Sequence, residues 1–146
     1  WDFFSKELQD ILVEDDGVWL YKEMLHPDLK NLAFCGRAST FCSPLHASLQ
    51  SLWLLDHYNG NIQLPSQQVM IDEIDQMRVF KRSVSHWVPQ RSAAAQKYFY
   101  QLLDGLLTDM GFCYKRQPLM EQFSALAYAP VLEYFNQKCS GKRNLV

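Results

Sequence analysis

The sequence lacks the familiar short fingerprints by which cofactor binding or catalysis is read from local spacing. It has no GxGxxG turn, P-loop, GxSxG elbow or HExxH pair, so if it belongs to an enzyme the cofactor fingerprint lies elsewhere. Its four cysteines, Cys35, Cys42, Cys113 and Cys139, form no CxxC pair and have no metal-ligand spacing with the four histidines. That pattern reads as reduced thiols and no metal site. No apolar run is long enough to span a bilayer, and no basic start precedes a hydrophobic signal core. The expectation is a soluble, cytoplasmic protein with no transmembrane segment. Charge of one sign is also missing. With 14 Lys+Arg against 16 Asp+Glu and a formal net charge of -2, nothing general favours nucleic acid or an acidic membrane.

What is present is a core. Of the 146 residues, 48% are hydrophobic, enough for a folded domain without internal repeats or low-complexity linkers. The chain opens on Trp1 in an aromatic run without an initiator Met, which reads as a piece of a larger protein.

The stretch from Asn31 to Trp53 organises the reading. Leu32 to Cys35 form a continuous apolar run between Asn31 and Gly36, the pattern of a strand buried on both faces of a parallel sheet. A loop from Gly36 to Cys42 follows. Ser43 before Pro44 is a helix start, with Ser43 as the expected cap, and Leu45, Leu49, Leu52 and Trp53 mark a buried face ended by Asn59-Gly60. A strand, a loop and a helix N-terminus in that order converge backbone N–H groups on a ligand, most often an anion. His46 shares a flank of this helix with Gln50; with no partner evident it reads as a structural or surface histidine rather than a general base.

Elsewhere the periodicity predicts a short helix before Ile11 and a hairpin about Asp16-Gly17, with Tyr21 to Leu25 extended. The acids Glu14, Asp15 and Asp16 read as a solvated turn, since neighbouring side chains do not converge on one cation. A second helix follows Ser66, with Met70, Ile74, Met77, Val84 and Trp87 on one side. A third is expected from about Ser92 to Met110, and shorter helices flank Pro130.

The order Leu20-Tyr21-Lys22, His26-Pro27, Asn31-Leu32-Ala33-Phe34 with Gly36, Leu49-Gln50 with Trp53, Gly60, Leu64-Pro65-Ser66 and Met70 resembles the C-terminal region of flavin-containing monooxygenases. Each motif is short, and the specificity lies in their shared order from Leu20 to Met70. The resemblance implies a parent α/β enzyme with a Rossmann-type FAD domain and an inserted NADPH domain. This piece would be mostly α-helical with a few short β-strands. Residues 1–62 would be the returning part of the FAD domain, and residues 63–146 a C-terminal helical region. It further implies FAD and NADPH as cofactors and O₂ as oxidant. A flavin hydroperoxide would pass one oxygen to a soft nucleophile, an amine nitrogen or sulfur, as in the N,N-dimethylaniline monooxygenase type. The partners implied are a small-molecule substrate and the remainder of the protein's own FAD and NADPH domains, with a homo-oligomer left open.

Carried over by position, Gln50 matches the glutamine of the family's LQ..W motif near the flavin and nicotinamide. Gly36, Arg37, Thr40 and Phe41 fall in the loop where related enzymes contact FAD. Ser48 and Leu52 depart from the acid and arginine usual in the family. The resemblance places no catalytic residue in this chain. Two other readings compete. One is a non-catalytic helical interaction module. The other is a disulfide reductase, which usually has an acid soon after the strand glycine where this sequence has Arg37, and which needs the CxxC it lacks.

Overall fold

The computed structural model describes residues 1–112, and the expected helices about Pro130 lie outside them. Within that span the fold is mostly helical with one two-stranded sheet. Helix α1 spans Lys6–Leu12 and is capped by the Ser5 hydroxyl, which accepts from the Leu8 N–H. It runs into the antiparallel pair β1, Val13–Glu14, and β2, Gly17–Val18, in the register Val13 to Val18. Gly17 sits at φ 118°, and a Cβ there would lie 2.1 Å from the Ser92 hydroxyl oxygen, so the turn and the close approach of residue 92 both require glycine.

The first departure from expectation is at Tyr21 to Leu25. Instead of an extended segment, the chain makes a tight turn bridged between Tyr21 and Leu25, with Lys22 at φ 49° and Glu23 at φ 61°. Two consecutive side-chain-bearing residues in the left-handed region cost energy that their surroundings must supply. The second departure concerns Leu32 to Cys35, which form no strand. Ala33 makes a single bridge to Leu25, the Phe34 N–H reaches the Met24 carbonyl, and Cys35 is exposed. A strand buried on both faces needs parallel neighbours, and the described residues contain none.

Helix α2 spans Ser43–Tyr58 with Pro44 in its first turn. Its cap residue is Cys42 rather than Ser43, and no side chain caps it. The Ser43 hydroxyl turns back to donate to the Thr40 carbonyl at 3.3 Å. Helix α3, Gln67–Val84, begins at Ser66 as the pattern indicated, the Ser66 hydroxyl accepting from the Val69 N–H. It stops at Val84, so Trp87 lies beyond the helix and is exposed. The third expected helix is shorter than its pattern. Residues Arg91–Ala93 and Gln96–Tyr98 form two 3₁₀ turns, and α4 runs only over Phe99–Asp109.

The main core joins the 19–25 segment, α2, α3 and α4 through Met24, Leu49, Trp53, Ile74, Phe99 and Leu106. The indole N–H of Trp53 donates to Asp109 at 2.8 Å, and the same carboxylate pairs with Lys22 at 3.0 Å, tying α2, α4 and the turn at one point. Replacing Gly17 with Ala is expected to destabilise the chain by roughly 1–3 kcal/mol, because both the backbone conformation and the Ser92 contact are lost. Chemical denaturation of the two proteins measures it, and an unchanged midpoint would contradict this account of the turn.

Candidate functional site

The site is the loop 36–42 at the head of α2, and it is fastened to the rest of the fold at three points. The first fastening is Gln50. Its side chain is fully buried in α2, its amide oxygen accepts from the Gly36 N–H at 2.8 Å, and its amide nitrogen donates to the Lys22 carbonyl at 3.3 Å. One amide therefore satisfies a donor and an acceptor on two separate segments, the pairing that buried polar groups require. Gly36 at φ 71° makes the turn, and a Cβ there would press on Ala47 at 3.3 Å.

The second fastening is ionic. Arg37 turns inward, where one guanidinium nitrogen donates to Glu23 at 2.7 Å and the other to the Ser92 hydroxyl at 3.2 Å. The Glu23 carboxylate also accepts from the Lys81 ammonium at 2.6 Å and the Tyr98 hydroxyl at 2.8 Å. Lys81, 2% exposed, donates in addition to the Ser92 carbonyl. Burial pulls both Lys81 and Arg37 below their ordinary pKa while Glu23 opposes it. Burial beside the same carboxylate pushes Tyr98 far up, which keeps it a proton donor. The third fastening is backbone. The Ser39 N–H donates to the Ala93 carbonyl at 2.7 Å, and the Ala95 N–H donates to the Ser39 carbonyl at 3.0 Å.

These bonds bring Gly36 and Gln50 together and send Arg37 away from the outer side of the loop. Thr40 folds onto Ser43, with the Thr40 N–H 3.5 Å from the Ser43 hydroxyl. Phe41, in contrast, is 80% exposed at the loop tip. Two cavities flank the ionic cluster. One of about 130 Å³ reaches Glu23 and Tyr98 between α3 and α4, and one of about 570 Å³ reaches Arg37 and Ser92 beside the hairpin.

His46, in the first turn of α2, is fully buried and neither ring nitrogen has a hydrogen-bond partner. Burial depresses it to about 4. The hairpin acids are not merely solvated. Asp16 pairs with Arg82 at 2.8 Å and Arg91 at 3.5 Å and is lowered to about 2, chiefly by the Arg82 hydrogen bond. Glu14 reaches Arg78 at 2.6 Å.

Sequence reasoning did not single out Glu23, Lys81 or Tyr98 as a group. One signal was available. Lys81 continues the spacing of Met70, Ile74 and Met77 along α3, and a charge on a buried stripe requires a buried partner. Nothing local marked Glu23, because its partners are 14, 58 and 75 positions away. Among the described residues, no group of three His, Cys, Asp or Glu could hold a metal, and no helix is long and apolar enough to cross a membrane. Cys35 and Cys42 are free thiols.

The geometry is thus that of a loop braced against a helix and a strained turn. A model of the flavin-binding monooxygenase-like family matches residues 1–137, and the chain belongs to that family. Two Arabidopsis thaliana proteins are similar to it. The protein described as probable flavin-containing monooxygenase 1 is 29% identical over 133 residues, covering 82% of this chain and 24% of that protein. The one described as putative flavin-containing monooxygenase 2 is 30% identical over 88 residues, covering 53% and 19%. The chain therefore spans about a fifth to a quarter of the length of these relatives.

Two outcomes follow from the buried charges. Glu23→Ala leaves two buried cations without a counter-ion and should cost roughly 3–5 kcal/mol, whereas Lys81→Met, which replaces one ion by an apolar chain, should cost distinctly less. Urea titration of both variants ranks them, and equal losses would contradict the account. His46 is held neutral in the fold, so between its ordinary value of 6.5 and about 4 the unfolded chain binds more protons than the folded one. Its contribution is complete above pH 6.5 and lost as pH falls toward 4. His46→Leu should flatten that part of the stability profile, and a profile unchanged by the substitution would show that another group titrates there.

Proposed function

We propose that the complete protein is an FAD- and NADPH-dependent monooxygenase of the N,N-dimethylaniline type that uses O₂ to oxygenate a soft nucleophile, an amine nitrogen or sulfur. These residues close one edge of its FAD site. The observation that carries this reading is the Gly36–Gln50 clasp, which fixes the start of loop 36–42 against α2 and presents Phe41 outward. The family match supplies the cofactor class; the geometry supplies a loop suited to meet it.

The residues present fit one edge of a flavin rather than a whole cofactor. Gly36 lets the backbone turn without a side chain, Phe41 offers an aromatic face, and α2 begins without a side-chain cap. An uncapped helix start favours negative charge in front of it. Bound FAD, once reduced by NADPH, supplies the oxygen chemistry. Gln50 holds the loop, Thr40 and Ser43 hold its far end, and Phe41 covers the cofactor edge from water. The small-molecule substrate and the nicotinamide would be met mainly by the remaining FAD and NADPH domains.

In the complete enzyme, Gln50→Ala should release the loop from both Gly36 and Lys22, raising hydrogen peroxide release per NADPH consumed or weakening NADPH binding by about tenfold. Unchanged coupling and unchanged NADPH affinity would remove Gln50 from the site. The 146-residue chain purified alone should be colourless and unable to oxidise NADPH, since the FAD and NADPH glycine motifs are absent from it. A yellow preparation that consumes NADPH would overturn the proposal that these residues supply only one edge of the site.

A further inference from the structure

The loop at the candidate site is fixed through a turn that lies 14 residues before it in the chain. Lys22 and Glu23 stand consecutively in the left-handed region, at φ 49° and 61°, although neither is glycine, asparagine or aspartate. A turn of this kind persists only where its neighbours over-determine it. Those neighbours are the Gln50 amide on the Lys22 carbonyl, the Asp109 carboxylate on the Lys22 ammonium, and Arg37, Lys81 and Tyr98 on the Glu23 carboxylate. Two of these groups, Gln50 and Arg37, are also the two that fasten the start of loop 36–42. The strained turn and the loop are therefore joined by two parallel links. One is neutral, through Gln50, and the other is charged, through Glu23 and Arg37.

The charged link directs a choice. Arg37 is the basic side chain next to Gly36, and without a counter-ion its guanidinium would leave the interior for solvent, taking the loop backbone with it. Glu23, 4% exposed, holds it in, while α3 and the second 3₁₀ turn hold Glu23 through Lys81 and Tyr98. The carboxylate meets Arg37 from a backbone in the left-handed conformation.

We propose that Glu23 is a positioning residue for the flavin-facing loop, acting through Arg37 and held in place by Lys81 and Tyr98. This rests on the reading of loop 36–42 as the edge of the FAD site. The residue touches neither cofactor nor substrate in that reading. Its effect is to keep the loop in the one arrangement that presents Phe41 outward.

The test uses three variants of the complete enzyme, each checked for folding by circular dichroism. Glu23→Gln keeps the shape of the side chain but removes its charge. Lys81→Met breaks the other ion pair of Glu23 and leaves the Arg37 pair intact. Gln50→Ala breaks the neutral link. Measurements are the visible absorption spectrum of bound FAD, the FAD dissociation constant, and amide hydrogen exchange at residues 37–41 of the FAD-free protein. Glu23→Gln is expected to weaken FAD binding about tenfold, displace the flavin absorption maxima and speed exchange at residues 37–41. Lys81→Met is expected to change these distinctly less than Glu23→Gln, because Tyr98 and Arg37 still hold the Glu23 carboxylate.

If Gln50→Ala alters the flavin spectrum or affinity while Glu23→Gln and Lys81→Met behave alike, the positioning role fails and the reading of the loop survives. If neither Gln50→Ala nor Glu23→Gln changes the flavin spectrum or affinity, the loop is not at the FAD site and both readings fall. Should Glu23→Gln not fold, Arg37→Met must reproduce its expected spectral and exchange changes, and failure to do so overturns the proposal.

Discussion

One buried carboxylate decides how this fold is put together. Glu23 accepts from Arg37, Lys81 and Tyr98 within 2.8 Å, and those three donors come from the loop after Gly36, from α3 and from the turn that leads into α4. A single acceptor shared by two cations and a phenol in a poorly solvated place has few alternative arrangements, because without it both cations would be buried without this counter-ion and the phenol would lose its acceptor. The strained backbone at Lys22 and Glu23 and the inward direction of Arg37 both follow from that constraint.

Around this point the remaining polar contacts repeat the same logic at lower cost. Asp16 sits between Arg82 and Arg91 and anchors the hairpin to the last turn of α3 and to the first 3₁₀ turn. Trp19 lies beneath Arg78, Lys81 and Arg82, each 5.4–5.5 Å from its ring centre, so the basic face of α3 rests on an aromatic surface as well as on carboxylates. The hydrophobic contacts of Leu49, Trp53, Phe99 and Leu106 supply the bulk of burial, but they are non-directional. The ionic contacts fix which side of α3 faces the hairpin.

The relation to function is one of division of labour. The chain belongs to its family over residues 1–137 and spans about a fifth to a quarter of the length of its relatives. In the proposed reading these residues hold and orient, and the chemistry belongs to the cofactor and to other segments. A loop bound at Gly36, Arg37 and Ser39 by three different kinds of contact suits that role, since it pays its ordering cost before any ligand arrives.

The sequence by itself determined the helices that have strong local signals: α2 with its proline start and leucine face, α3 after Ser66, and the hairpin at Asp16-Gly17. It also determined the family, through motifs whose order needs no three-dimensional information. Only the tertiary structure decided the rest. Leu32 to Cys35 have the composition of a buried strand, yet a strand exists only where another chain segment pairs with it, and in the described residues only Leu25 meets Ala33. Ser43 looks like a cap but spends its hydroxyl on Thr40. The sequence marks Gln50 as the glutamine of the LQ..W motif on a helix flank, and only the fold makes it a fully buried clasp, because Gly36 and Lys22 are folded against it. Glu23 had no local mark at all. Hydrophobic periodicity and capping are properties of neighbours along the chain, whereas the partners of a buried charge are chosen by the packing of distant segments.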